Sequence, residues 1–564
     1  MKRHIHNIIW FVLFFGIFAG FFSCTTLDDK VYSEIIADKY QYKEGDIVAI
    51  LGRAYQPWRL VSSMWSYCDW WTDQMCLPQK YWGWGDLTDH LHNFSPENQN
   101  YTGLSDRWVD LYNGISNCNQ LLEQLQDSVF SPENKNEMIA ELRVIRASYY
   151  YFLCDMYGNV PIVEKFNVPV NYLPMQSSRK DVFNFIINEV TESLPFLTDA
   201  VDKSTYGRFN KYAAFALLAK MYINAEVYVG TAKWQECINA CDSIILPGKY
   251  SLATSQKACF SKNNDVAGLS EAVFAVAFDE KFAKGLGLFS QTLNGQFAEV
   301  YSITGGWGNG GCVMIPQFIN TYDSTDLRLK NNYIYGPQYQ STGAPMLAQF
   351  GTIKGQQMVI DNFVANIQGD GSNCTENMGY RCAKYEYYTG INAYAMNNDI
   401  FLFRYTDILM MKAECLLRTG HADEAAAIVS SVRQRAFTNP AKAIVTGSLL
   451  QQGSCFDYGK RDYTWNGRQQ KWVENADDTH EGGSDIVFGR FLDELSWEFD
   501  QEGHRRQDLI RFKTTSGESV WIAKGWLSHL ATHDKNKELY PIPAVQILNN
   551  PNLKQNPGYS VSAP

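Results

Sequence analysis

The chain has 564 residues, of which 45% are hydrophobic and 19% are charged, a globular composition that excludes intrinsic disorder as its main state. Its formal net charge of −11 argues against a nucleic-acid partner, because such binding depends largely on Lys and Arg side chains that neutralise phosphates. Aromatic residues make up 14% of the chain, which indicates a binding surface as well as a core.

The N-terminus has the layout of a secretory signal. Lys2 and Arg3 precede an apolar run over residues 8–22, which is followed by Ser23 and Cys24. The run is shorter than the roughly 20 residues that a membrane-spanning helix needs. A small residue followed by Cys resembles a bacterial lipobox, which implies cleavage before Cys24 and acylation of that cysteine; the alternative is a plain secretory signal with an incidental Cys. We predict a signal peptide over residues 1–23 and a lipid anchor on Cys24.

The 13 cysteines show no spacing typical of metal ligands. Cys237 and Cys241 lie one turn apart on a predicted helix, where buried thiols are the usual interpretation. Cys374 and Cys382 could bridge a loop. We predict neither a metal site nor a cofactor.

The first helical hairpin is predicted before Gly158. Residues 141–157 carry apolar side chains three and four positions apart, and Gly158 and Pro161 end the pattern. Residues 108–125 show the same period and predict the antiparallel partner helix. Residues 131–133, Ser-Pro-Glu, predict a capped helix start between them.

Further helices follow in chain order. Helical periodicity is present from residue 180 to 195 and from 210 to 228, and a helix over 234–245 comes next. Residues 403–419 give the clearest pattern, and a glycine turn leads into a second helix that ends at Arg435. This last pair is similar to the helix–turn–helix unit of tetratricopeptide repeats. Such hairpins cannot bury their apolar faces alone, so we expect them to stack on one another.

The intervening sequence is different in character. Residues 58–104, 280–400 and 440–485 are rich in Gly, Asn, Tyr and Trp and lack helical periodicity, while residues 271–278 read as one short strand. We predict a mainly α-helical fold in which helical hairpins form a scaffold that carries large ordered loops.

A family resemblance emerges from segments spread over nearly the whole chain after the signal. The segments are residues 141–161, 207–222, 403–414, 494–512, 540–544 and 552–559. Together with the lipobox they resemble the SusD/RagB family of Bacteroidetes outer-membrane lipoproteins.

The resemblance implies about four tetratricopeptide-like helix pairs with irregular loops packed on one side. The N-terminal part over residues 24–270 and the C-terminal part over residues 271–564 would form one compact fold. It also implies a surface-exposed lipoprotein of the outer membrane that captures oligo- or polysaccharide for a SusC-like TonB-dependent β-barrel and has no catalytic step. A RagB-type member would bind peptide instead.

Two other functions remain open at this stage. A glycoside hydrolase would need an acid/base pair such as Glu498 and Glu502, yet the neighbouring Arg residues favour ionised, salt-bridged carboxylates. We expect Glu494, Glu498 and Glu502, together with the Arg residues that follow them (Arg505, Arg506 and Arg511), to tie this helix to its neighbours. A pure interaction scaffold would leave the long aromatic loops unexplained.

The first candidate ligand contacts lie in a Trp-rich segment over residues 58–84. Trp84 lies between two glycines, and Tyr81 and Trp82 precede it, so a loop can present these rings to a pyranose. For Trp58, Trp65 and Trp70, core packing is the alternative that we favour.

The second candidate is the segment over residues 301–311. Its glycines spell G-x-G-x-x-G, but the strand, helix and parallel sheet of a dinucleotide site are missing around it. A mobile or tightly turned loop that exposes Trp307, with Asn309 as its polar partner, is the better interpretation. The family resemblance extends the aromatic contacts to Tyr301.

Overall fold

A computed structural model of the chain describes residues 44–62, 68–78, 104–126, 134–367 and 374–559. The longer helices are α1 (Glu44–Tyr55), α2 (Leu104–Gln126), α3 (Lys135–Met156), α4 (Arg179–Ser193), α5 (Lys211–Ile223), α6 (Trp234–Ile245), α7 (Tyr405–Arg418), α8 (Ala422–Arg433), α9 (Gly489–Phe499) and α10 (Arg505–Arg511). Shorter α-helices are Ala225–Val229, Asn264–Ala267, Leu288–Thr292, Phe297–Val300, Pro316–Ile319, Leu327–Asn331, Pro440–Ala443, Gly447–Leu450, Val520–Ala523 and Ala544–Asn549. Short 3-10 helices are Gln56–Leu60, Leu194–Phe196, Gln256–Phe260, Leu269–Glu271, Gly351–Ile353, Gln434–Ala436 and Lys535–Glu538.

The strands in the described residues are short and pair two by two. The antiparallel pairs are Met75–Cys76 with Val313–Met314, Ala272–Val276 with Ile400–Arg404, Tyr333–Ile334 with Arg381–Cys382, Gly336–Pro337 with Val359–Ile360, and Tyr463–Asn466 with Lys471–Glu474. Gly459–Lys460 pairs in parallel with Trp526–Leu527. These strand pairs connect the long segments between the helices, and the helices form most of the regular structure.

The predicted hairpins stack as expected. Helix α2 packs on α3, α3 on α4, α5 on α6, α6 on α7, and α7 on α8. Each helix thus buries its apolar face against the next one in the series. The prediction of a mainly α-helical, tetratricopeptide-like scaffold is confirmed, and residues Val48–Pro564 form one compact unit. Of residues Met1–Ile47, the structure describes only the start of α1.

The first hairpin, α2 and α3, packs closely around the side chain of Tyr149. The ring of Trp58 stacks on Tyr149 of α3 at 5.1 Å, and the Tyr149 hydroxyl donates to the Ala54 carbonyl at 2.7 Å. A Cβ on Gly114 of α2 would lie 2.4 Å from Cε2 of Tyr149. Glycine at this position therefore lets the two helices approach around a buried Tyr.

One predicted helix start differs from the structure. The helix expected over residues 403–419 begins only at Tyr405, because Phe403 and Arg404 end the strand that pairs with Ala272–Val276. The Arg404 backbone N–H donates to Asp407 Oδ2 at 3.0 Å, which caps the helix at this point. The start predicted at residues 131–133 lies outside the described residues.

Buried ion pairs connect the helices to the loops, although through other partners than the sequence suggested. The guanidinium of Arg404 pairs with Glu498 at 3.0 Å and with Glu502 at 2.7 Å, and Glu498 also accepts from Arg435 at 2.6 Å. Glu494 pairs with Arg433 at 2.7 Å.

The arginines that follow α9 in sequence pair elsewhere. Arg505 contacts Asp73 at 2.6 Å, Arg506 contacts Asp155 at 3.0 Å, and Arg511 contacts Glu414 at 2.7 Å; all of these side chains are buried. The expectation that these acids and bases tie α9 and α10 to the rest of the fold is confirmed, but the predicted pairing within the segment is wrong.

The cysteines in the described part of the chain form no disulfide. The bridge considered between Cys374 and Cys382 is therefore not formed. Cys237 and Cys241 are buried, as predicted. In the same residues, no helix combines the length and the apolar character that crossing a bilayer requires.

Candidate functional site

Part of the predicted site cannot be placed. Tyr81, Trp82, Trp84 and the lipidation candidate Cys24 lie outside the described residues, as does Trp65. They stay predictions.

The early Trp residues that the structure does describe belong to the interior. Trp58 is buried against α3, which confirms the core interpretation for this residue. Trp70 is half-buried and lies edge to face with the buried Trp71 at 6.0 Å. Neither Trp58 nor Trp71 is available to a ligand in this arrangement.

The segment over residues 301–311 is a tightly turned loop that lies on residues 290–295. The backbone N–H of Asn309 donates to Ser290 O at 2.9 Å, and that of Gly310 donates to Leu293 O at 2.8 Å. These two hydrogen bonds tie the loop to its neighbour, and the structure describes it in the tightly turned form.

Glycines in this loop serve close packing. A Cβ on Gly308 would lie 2.4 Å from Leu293 O, so only glycine fits there. Gly306 has a φ of +83°, in the left-handed region that glycine adopts readily. The G-x-G-x-x-G spelling therefore reflects the packing of one loop on another.

Trp307 is an exposed aromatic residue among the predicted ligand contacts. Its side chain is 56% exposed, and its six-membered ring lies directly against Gly295. A Cβ on Gly295 would be 2.4 Å from Cζ2 and 2.9 Å from Cε2 of the indole. The absence of a side chain at Gly295 thus allows the indole to rest on the backbone while much of the ring stays open to solvent.

Tyr301 and Asn309 contribute to the support beneath this loop. Tyr301 is half-buried and meets Phe289 at 5.6 Å and Tyr387 at 5.9 Å, both edge to face. Burial raises the pKa of Tyr301, so its hydroxyl stays protonated. The Asn309 side-chain amide donates to Ser290 Oγ at 3.1 Å. In this conformation both residues hold the loop in position.

A cleft of about 740 Å³ opens beside Trp307, and Gly295 belongs to its wall. Its lining residues come from two segments far apart in sequence: Gly295, Gln296, Ala298, Glu299, Gln340, Pro345, Leu347, Ala348, Gln349, Lys354 and Gly355. Apolar surface with a few amide groups suits a ligand that carries hydroxyls on flat apolar rings.

The polar groups of the cleft are held from behind by Glu376. Its buried carboxylate accepts from the Gln296 amide at 2.9 Å and from the backbone N–H of Gln349. The Oε1 atom of Gln340 is buried and has no hydrogen-bond partner among the described residues. A buried acceptor without a partner costs free energy.

Sequence reasoning missed the residues that complete this surface. The exposed Tyr394 flanks the Trp307 loop, since a Cβ on Gly306 would lie 3.0 Å from its Cδ2. Tyr339 is also exposed and precedes Gln340. The only sequence signal for this part was the lack of helical periodicity and the repeated glutamines over residues 338–357.

The acid/base alternative is not supported by the geometry of Glu498. Burial alone would raise the pKa of this carboxyl. The charges of Arg435 and Arg404 outweigh that effect and lower the pKa to about 2. A carboxylate held ionised between guanidinium groups cannot donate a proton near neutral pH. In the described ranges, no group of three or more His, Cys, Asp or Glu side chains is arranged to hold a metal ion.

Two family profiles match the sequence. The profile described as the SusD family matches residues 270–559, just over half of the chain. The profile described as starch-binding and associating with the outer membrane matches residues 33–223.

Curated relatives and solved structures agree with these profiles. The starch-binding protein SusD of Bacteroides thetaiotaomicron is 22% identical over 511 residues, 85% of this chain and 83% of that protein. A SusD-like protein of Bacteroides ovatus is 33% identical over 125 residues, 21% of this chain and 22% of that protein. The structure of a SusD superfamily protein from Parabacteroides distasonis has a TM-score of 0.67 at 19% identity and covers 92% of this chain and 100% of its own. A laminarin-binding SusD-like protein has a TM-score of 0.64 at 19% identity, with the same coverage. At these identities the structures show a shared fold.

Proposed function

Because the chain belongs to the SusD family, we propose that it is an outer-membrane lipoprotein that captures a glycan at the Trp307 surface and delivers it to a SusC-like TonB-dependent transporter. Relatives in this family are named as binding proteins, and this chain is accordingly a binding protein and not an enzyme. The observation that carries the binding site is the exposed indole of Trp307, which rests on Gly295 at the edge of the cleft.

The chemistry of this surface fits a sugar chain. Pyranose rings have apolar C–H faces that lie against an indole, while their hydroxyls need hydrogen-bond partners around the ring. Trp307 offers the indole, and the glutamine side chains of the cleft wall offer amide groups. Two similar proteins, one named as starch-binding and one as laminarin-binding, support a glycan as the ligand class.

The proposed outer-membrane location and the proposed transporter partner are supported by the sequence of the N-terminus and by the family profiles. A lipid anchor on Cys24 would hold the chain at the membrane while its folded part remains outside the bilayer. The family profile described as associating with the outer membrane supports this location. Transfer to a TonB-dependent barrel follows from the resemblance to the SusD/RagB family.

Peptide capture is a second candidate, favoured by one feature of the cleft. Its wall carries a single carboxylate, Glu299, and a single ammonium group, Lys354, both on exposed side chains. Such a pair can hold the amino and carboxyl ends of a short peptide.

A binding array with residues 24–564 separates these candidates. We expect wild-type protein to bind one or more neutral glycans and to lose most of this binding in Trp307→Ala. Phe196→Ala is the matched control, because Phe196 is 54% exposed on a short helix of the scaffold. Equal glycan binding by wild type and Trp307→Ala would reject the site, and binding of peptides alone would favour the second candidate.

A further inference from the structure

An interior cavity lies where three helices meet a strand, away from the candidate glycan site. Its volume is about 30 Å³, which admits a water molecule or a monatomic ion and excludes a sugar. Phe152 of α3, Lys220 of α5 and Gln507 of α10 belong to its wall, together with Phe403 of the strand Ile400–Arg404. The cavity and the cleft described above share no lining residue, so each is a site of its own.

Lys220 is the unusual residue of this wall, because it is only 7% exposed. Its backbone carbonyl accepts from Asn224 Nδ2 at 2.9 Å, but its ammonium group meets no acceptor or carboxylate among the residues that the structure describes. The buried Lys384 shows the usual arrangement, since its ammonium group has four oxygen acceptors at 2.6–3.2 Å. Buried charges are normally paired, so a partner for the Lys220 ammonium group is expected in the space beside it.

The carboxylate in the cavity wall already has its own partners. Glu502 accepts from Arg404 Nε at 2.7 Å and from Lys384 Nζ at 2.6 Å, and its side chain is buried. These two cations balance the charge of Glu502. Glu502 therefore does not serve as the counter-ion of Lys220.

Asp407 and His504 are close enough to Lys220 to feel its charge, but they contact each other. Asp407 Oδ1 is 3.3 Å from His504 Nδ1, and Asp407 Oδ2 accepts from the Arg404 backbone N–H at 3.0 Å. Burial lowers the pKa of His504 well below its ordinary value, so the ring is neutral near pH 7. Burial raises the pKa of Asp407 to about 7, so this carboxyl supplies only part of a negative charge at that pH. An excess of positive charge therefore remains at Lys220.

The rest of the described wall is neutral. The Tyr151 hydroxyl donates to Gln507 Oε1 at 2.9 Å, so these two polar groups satisfy each other. Burial raises the pKa of Cys68, and its thiol stays protonated. Leu288 and Ile400 are among the apolar residues that complete the lining. A cavity of this size, beside one cation that has no partner in the described wall, fits a monatomic anion.

We infer that this cavity binds a halide ion, chloride under ordinary conditions, with the Lys220 ammonium group as its partner. The unfolded chain has no such cavity, so the anion binds the native state alone and stabilises it. It also connects α5 to α10 and to the strand Ile400–Arg404, which are far apart in the sequence. A water molecule is the alternative occupant, but it is neutral and leaves the charge of Lys220 without a counter-charge.

Crystals of residues 24–564 grown in sodium bromide test the site, because bromide replaces chloride and gives an anomalous scattering peak. We expect a peak in the cavity, in contact with Lys220 Nζ, in wild type and in Lys203→Met, and no peak in Lys220→Met. Lys203→Met is the matched control, because Lys203 is exposed. A wild-type cavity without an anomalous peak assigns the space to water and overturns the inference, as does a peak that Lys220→Met retains.

Thermal unfolding measures the same binding in solution, with chloride replaced at constant ionic strength by gluconate, which is too large for the cavity. The melting temperature of wild type relative to Lys220→Met should be higher in chloride than in gluconate by about 1 °C or more. The difference between wild type and Lys203→Met should be the same in both salts. Equal differences for Lys220→Met in the two salts overturn the inference. Lys220→Gln replaces Lys220→Met if the latter does not fold, and the wild-type crystal decides for or against an anion if neither variant folds.

Discussion

Gly295→Ala is expected to weaken glycan binding about two- to twelvefold, because the new methyl group takes the space in which the indole of Trp307 lies. Without movement, the added Cβ would be 2.4 Å from Cζ2 of the indole, whereas carbon atoms in contact lie about 3.5–4.0 Å apart. The ring must therefore move by roughly 1 Å or more. Gly295 is outside the left-handed region, so the backbone itself accepts alanine.

The magnitude follows from what a displaced ring loses. A stacking contact between two aromatic rings contributes about 0.5–1.5 kcal/mol beyond the area that it buries, and we take the same range for a pyranose C–H face on the indole. Since about 1.4 kcal/mol corresponds to a factor of ten in Kd, complete loss of stacking gives the stated range. The Gly295 contact with Trp307 does not include the helices of the scaffold, so the melting temperature of Gly295→Ala should stay close to that of wild type.

Isothermal titration calorimetry of four proteins provides the test: wild type, Gly295→Ala, Trp307→Ala and the double variant. Because Gly295 acts through Trp307, the double variant should bind as weakly as Trp307→Ala alone. Gly467→Ala is the control, since a Cβ at Gly467 meets no atom within 4 Å. Additive losses in the double variant, or an unchanged Kd for Gly295→Ala, would refute this geometry.

Two further predictions concern the scaffold. Arg404→Met leaves the buried carboxylates of Glu498 and Glu502 without this partner. The free energy of unfolding measured in urea titrations should therefore fall by about 3–5 kcal/mol. A loss below about 1 kcal/mol would contradict a stabilising role for the Arg404 ion pairs. Burial raises the pKa of Asp69 to about 8. The folded chain therefore retains a proton on Asp69 that the unfolded chain releases above the ordinary pKa near 4. As a result, the free energy of unfolding falls as pH rises from about 4 to 8, by up to about 1.4 kcal/mol per pH unit. Asp69→Asn should remove that decline in urea titrations at pH 5 and 8, and parallel pH profiles of variant and wild type would show that Asp69 is ionised in the fold.

The helices could be predicted because their apolar period is a local property. Residues 141–157 and 234–245 carry it, and both lie in helices that pack where expected. The start of α7 could not be predicted, since Phe403 continues the apolar pattern of the helix. In the fold, Phe403 and Arg404 pair instead with a strand more than 120 residues earlier. Tertiary pairing decided between helix and strand at this point.

For the ion pairs too, the sequence predicts partners that are close along the chain and misses those that only the fold brings together. Sequence spacing suggested that Glu498 pairs with the arginines just after it, but Arg404 lies 94 residues before it and takes that place. The rule for side chains one turn apart identifies only partners on one helix. The network was predictable in kind, because buried acids need bases, but its partners depend on the fold.

At the candidate site, the sequence predicted the exposed Trp307 from the glycines beside it. It did not predict Gly295, because the contact between Gly295 and the indole exists only once the loop lies on residues 290–295. The cleft wall over residues 340–355 was hidden for the same reason, since its amide groups have no periodic pattern. Loops are placed by hydrogen bonds to distant backbone, which composition does not reveal.

Glycan titration with product analysis on residues 24–564 tests most directly whether the chain holds a sugar chain without changing it. We expect saturable heat of binding for at least one neutral oligosaccharide, a marked loss of that heat in Trp307→Ala, and an unaltered oligosaccharide after prolonged incubation. Shortened oligosaccharide in the recovered sample, or no binding of any glycan by folded protein, would contradict this function.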